Sequence, residues 1–122
     1  MSIRIFLFAA TASCAVACGS STPEPKQPMA DAEAATRAAR EVGAESEPGA
    51  RLRAKLADEA IAQAKAAVAR GDNDRATMLA IRAKADADLA LALAREQTAN
   101  VEKQKAVEAS SARTKTTQGA KP

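Results

Sequence analysis

Apolar and polar positions between residues 29 and 109 recur with a helical period, about 3.6 residues, and do not alternate as strands do. The pattern breaks at Gly43, around Pro48-Gly49 and at Gly71-Asp72-Asn73-Asp74, which predicts three helices. The first spans 29–42, with Pro28 before it, Asp31 and Glu33 at its positive end, and Gly43 as its stop. The second spans 50–70. On a wheel its Leu52, Leu56, Ala57, Ala60 and Ile61 share one half with Ala64, Ala67 and Val68. Lys55, Asp58, Glu59, Gln63, Lys65 and Arg70 take the other half. The third spans 74 to about 109. Its stripe is Met78, Ile81, Ala85, Leu89 and Ala92, broadened by Leu79, Leu91 and Leu93. That stripe reads as a surface to be buried against the first helix, a second copy or another protein. The most apolar run, 89–94, has helix formers on both sides and no β-branched residue, so it reads as helix.

The short break at 71–74 makes the second and third helices antiparallel neighbours. Gly71 suits the left-handed position after a helix, as does Gly43, and Asp72 or Asp74 can cap the third helix. A calcium loop starting at Asp72 would need Gly at position 77 and Glu at position 83, where the chain has Thr77 and Ala83. The third helix, at about 1.5 Å per residue, outreaches the second and leaves its far half without a partner in the hairpin. The expected fold is all-α: an antiparallel helical hairpin with a long second arm, a shorter N-terminal helix, and disordered termini.

The first seventeen residues read as a targeting segment. Arg4 is a short cationic start, and the apolar run from Ile5 to Ala17 is too short to span a bilayer, which takes about 20 residues. Ala15-Val16-Ala17-Cys18 resembles a bacterial lipobox, with Ala15 where Leu is most common. The resemblance implies that Cys18 becomes acylated and anchors the chain to membrane lipid. Cys14, after Thr11-Ala12-Ser13, is a second candidate, and the alternative is an ordinary secretory signal followed by a free or disulfide-bonded Cys18. Gly19 after the cysteine, in place of Asp, implies by analogy with lipoprotein sorting an outer-membrane position facing the periplasm. Residues 18–28, with Pro23, Pro25 and Pro28, read as an extended tether. Residues 110–122 read as a disordered polar tail.

Composition narrows the chemistry. The 122 residues include no His, Trp or Tyr, and the two Phe both lie in the targeting segment. The usual general base and metal ligand are therefore missing, and so is any aromatic surface for stacking bases. No cofactor, metal or small-molecule substrate is expected. The net charge of +3 falls to +2 once Arg4 is removed, and acids interleave with the bases, so no basic stripe invites nucleic acid. Asp86 and Asp88 lie two apart on one helix, point away from each other, and follow Arg82 and Lys84 by four, which suits surface ion pairs. Beyond Cys18 only fourteen residues are Val, Ile, Leu or Met. With so few to bury, the chain is expected to associate with itself or with another envelope protein.

The run 38–44, Pro48, the run 52–60, Gly71-Asp72 and the run 82–90 (Arg-Ala-Lys-Ala-Asp-Ala-Asp-Leu-Ala) together resemble the bacterial domain of unknown function family numbered 4398. The resemblance covers about residues 30–100. It implies a short Ala-rich helical envelope lipoprotein with no catalytic residues to carry over. The functional expectation is a non-enzymatic, membrane-anchored structural or docking module. The alternative is a helical spacer linking the outer membrane to the cell wall, with Lys121 as the attachment point.

Overall fold

The computed structural model describes residues 22–119, so the targeting segment and Cys18 lie outside the described residues. Three helices follow one another: α1, Lys26–Glu41; α2, Pro48–Ala69; and α3, Asn73–Gly119. A short 3₁₀ turn, Ala44–Ser46, links the first two. α1 starts three residues earlier than the pattern predicts. Pro28 costs nothing there, because the first four backbone N–H groups of a helix have no intrahelical acceptor. α2 likewise starts two residues early, with Pro48 at its first position.

Ion pairs show how the helices run. Glu33 on α1 meets Lys65 on α2, and Arg40 meets Asp58, so the two helices are antiparallel. α3 turns back at Gly71 and runs alongside α1. Thr22, just before α1, is bonded to Asn73 and Asp74 at the start of α3. Val42, just after α1, lines a groove with Ala94 and Val101. The result is an up-down-up bundle in which α3 packs on both other helices.

The seam of this bundle is alanine. Among the described residues, fifteen of the sixteen buried hydrophobic ones are Ala, and the other is Ile61. On α3 the buried positions are Ala76, Ala80, Ala83, Ala87, Ala90 and Ala94, spaced alternately by four and three. Ala50, Ala54, Ala57, Ile61 and Ala64 repeat the spacing on α2, and Ala32, Thr36 and Ala39 on α1. A 4-3 repeat is the heptad of a left-handed coiled coil. Alanine at most seam positions suits close approach of the helix axes, and Ile61 is the large side chain among them, with Met29, Leu91 and Leu93 packed at the edges. Thr36, the one polar residue at the seam, donates its hydroxyl to the Ala32 carbonyl at 2.8 Å.

This packing corrects the stripe expected to be buried on α3. Met78 is 67% exposed, Ile81 54% and Leu89 40%, and Ala85 and Ala92 are also exposed. At about 100° per residue, the buried alanines and the expected stripe each fill an arc of about 80°, on opposite sides of the helix. α1 therefore covers the alanine face and not the stripe. Leu52, expected on the buried half of α2, is exposed as well, whereas Ala57, Ala60, Ile61, Ala64 and Ala67 are buried as expected. The physical reason is shape. Once alanines form an unbroken heptad on all three helices, close backbone approach gains many small contacts that a leucine at the seam would prevent.

Two segment boundaries also differ from expectation. Residues 22–28 are not a free tether: Pro25 is buried, Thr22 is hydrogen-bonded, and α1 has begun by Lys26. At the other end α3 continues through residues 110–119. Thr114, Thr116 and Thr117 there donate their hydroxyls to carbonyls four residues back. An existing helix adds residues without a new nucleation cost, so polar sequence suffices to extend it. Residues 102–117 are all exposed.

Candidate functional site

Of the residues singled out from sequence, Cys18 lies outside the described residues. Gly43 and Gly71 both have left-handed backbones, φ +98° and +75°. Each ends a helix: the Gly43 N–H bonds the Arg40 carbonyl at 2.9 Å, and the Gly71 N–H bonds the Val68 carbonyl at 2.8 Å. Asp72 caps α3, its carboxylate accepting the Arg75 N–H at 3.2 Å. Asp74 lies within the first turn of α3 and does something else. It accepts the Thr22 hydroxyl at 2.7 Å, while the Asn73 side-chain amide donates to the Thr22 carbonyl at 2.7 Å. The 71–74 turn is thus a clasp that holds the chain entering α1.

Sequence reasoning missed two features. Glu47 caps α2 through its carboxylate, which accepts the Ala50 N–H. Backbone N–H groups of Gly49 and then Ala50 hold that carboxyl below its usual range. Glu is not among the favoured capping residues, so nothing in its identity signals the role. The second is the set of ion pairs between helices. Glu33 pairs with Lys65 at 2.7 Å instead of with Arg37 on its own helix, and the Lys65 hydrogen bond lowers the Glu33 pKa. Asp86 takes Arg53 from α2 at 3.0 Å and Arg82 from α3 at 3.8 Å. Within α3, Lys84 and Asp88 pair at 2.6 Å as their spacing of four predicts, and that hydrogen bond raises the Lys84 pKa. Asp86 and Asp88 therefore serve opposite flanks of α3. Arg40 joins Asp58 to Glu45, fixing the loop after α1.

Among the described residues, no three His, Cys, Asp or Glu side chains come together as a metal site would need. No described helix is long and apolar enough to cross a membrane. The surface depressions are open; the one beside Val42, Thr98 and Val101 is a groove between α3 and the loop after α1 and holds about 320 Å³. What the fold presents instead is the outward face of α3. Met78, Ile81 and Leu89 stand out from a bundle whose own packing does not use them. Exposed apolar side chains aligned on one helix face mark an association surface more often than a solvated one.

No curated protein and no solved structure matches the chain. Residues 27–106 match the family described as Domain of unknown function (DUF4398), and this span takes in α1, α2 and the part of α3 that packs on them. The chain, an all-α bundle of three helices, belongs to that family.

Proposed function

We propose that the chain is a non-enzymatic lipoprotein of the bacterial cell envelope. In this reading Cys18 is acylated and holds the chain to the outer membrane, facing the periplasm, and the helical bundle is a structural or protein-docking module. The observation that carries it is the run Ala15-Val16-Ala17-Cys18-Gly19-Ser20-Ser21, small residues ending an apolar segment and a Cys followed by a flexible link. The fold supports it in one respect. Thr22, four residues beyond Cys18, is clasped by Asn73 and Asp74, and four residues reach about 14 Å at most. An anchor at Cys18 would set the 71–74 turn close to the lipid surface. Two or more acyl chains supply stable binding, at about 0.8 kcal/mol per buried methylene. The absence of His from the sequence supports a binding role over catalysis.

Cys18→Ser tests the reading. The variant is expected to leave the membrane fraction, and the unaltered protein to carry the mass of a diacylglyceryl group. Unchanged membrane partitioning with no lipid mass would remove the anchor.

One observation favours a second reading, the spacer to the cell wall. After Lys105, the last residue to edge the groove beside Val42, α3 runs on for fourteen residues, about 21 Å. Attachment through Lys121 would leave muropeptide-linked protein after boiling in detergent.

A further inference from the structure

We propose that the outward face of α3 is closed by the same face of a second copy, antiparallel, around a two-fold axis at Ala85. This rests on the reading of the bundle as a docking module and names its partner. The face is built symmetrically about Ala85. Ile81 and Leu89 each lie four residues from it, and Met78 and Ala92 each seven. Turning a second α3 end for end therefore sets Ile81 against Leu89, Met78 against Ala92, and Ala85 against itself. The small residue falls where the helices are closest, Ile81 and Leu89 meet each other, and Met78 meets the space left by Ala92.

The charges obey the same symmetry. A two-fold axis brings each flank of α3 against the same flank of its partner. Arg82 and Asp86 share the flank toward α2, as the Arg53–Asp86 pair shows. Arg82 is three residues before Ala85 and Asp86 one after, so Arg82 comes within about 3 Å, along the axis, of Asp86 of the second copy. Lys84 and Asp88 share the other flank, and the same step brings Lys84 beside Asp88 of the second copy. At each end, Arg75 meets Glu96 and Asp74 meets Arg95, so the two acids that face each other there are each neutralised. A parallel pairing brings each flank against the opposite one, and would set Arg82 beside Lys84 and Asp86 beside Asp88 of the second copy, like charge against like.

From Met78 to Ala92 the face is about 21 Å long. One helix pair of that length falls below the roughly 1,200 Å² of standard interfaces, so the dimer is weak in free solution. With the paired α3 helices lying along the lipid surface both 71–74 turns stay within reach of one membrane, and confinement there would raise the effective concentration and favour the dimer.

Disulfide mapping in native membranes tests the pairing, with one cysteine added per chain at an exposed position of α3. Chains carrying Ala85→Cys are expected to cross-link to themselves. Chains carrying Met78→Cys are expected to cross-link to chains carrying Ala92→Cys but not to themselves. Adding Ile81→Lys to Ala85→Cys is expected to reduce the cross-linked fraction roughly tenfold. Self-linking of Met78→Cys alone would overturn the antiparallel register. If Ala85→Cys gives no self-link but is shielded from maleimide, or links to a chain of different mass, the second copy is overturned and the docking reading stands. If Ala85→Cys reacts freely with maleimide and links to nothing, both fall.

Discussion

At the scale of single residues, charge does the positioning that large side chains do in other cores. Glu33–Lys65 and Arg40–Asp58 align α1 with α2, and Asp86 between Arg53 and Arg82 sets α2 against α3. Exposed pairs of this kind are each worth well under about 1 kcal/mol, so their part is to fix register and direction. They also set a pH response. The Glu33 and Glu47 carboxyls are held below their ordinary value in the fold. Their stabilisation is present above that ordinary value and is lost as pH falls through the lowered one. The Lys84 ammonium is held above its ordinary value, so its contribution is lost as pH rises through the raised one. Melting temperature is therefore expected to be flat across neutral pH and to fall below about pH 4. Glu33→Gln combined with Glu47→Gln is expected to flatten that acid limb; an unchanged acid limb would show that these carboxyls carry none of it.

At the scale of helices, α3 has two parts. Up to Val101 it is packed or lines a groove; beyond that Glu102 and Lys105 still edge the groove beside Val42, and residues 102–117 are all exposed. Ending the chain after Val101 is expected to leave the melting temperature unchanged and to lower the helical signal by about a fifth. A drop of several degrees would mean that the projecting segment is packed after all. The number, order and ends of the helices were largely legible in the sequence, because Gly43, Gly71 and Asp72 act through local backbone geometry. The cap at Glu47 was not legible, since a glutamate there looks like any surface acid. The orientation of α3 was misread for a different reason. A wheel reading weighs Met78, Ile81 and Leu89 above any alanine, yet Ala76, Ala80, Ala83, Ala87, Ala90 and Ala94 already spell a heptad. In a chain this rich in alanine that heptad passes for background, and it becomes visible only when α2 repeats it.

At the scale of the whole molecule, the chain is a slender bundle with an alanine seam, and seven of its fourteen larger apolar side chains are turned outward. That inversion links fold to function. Close packing makes a stiff body from few apolar residues, and the residues left over are free to meet a partner. The proposed anchor at Cys18 rests on the sequence before α1 alone, while the partner became arguable only once the exposed face was known. The central claim is that alanine, and not the large apolar residues, forms the core. Urea unfolding of dilute protein, with Ala83→Leu compared against Ile81→Ala, tests it most directly. Overpacking a buried seam costs about 1–3 kcal/mol, whereas trimming a side chain that faces water changes stability by less than about 0.5 kcal/mol. The account predicts a clear loss for Ala83→Leu and almost none for Ile81→Ala; a loss of about 2 kcal/mol or more for Ile81→Ala with Ala83→Leu tolerated would contradict it.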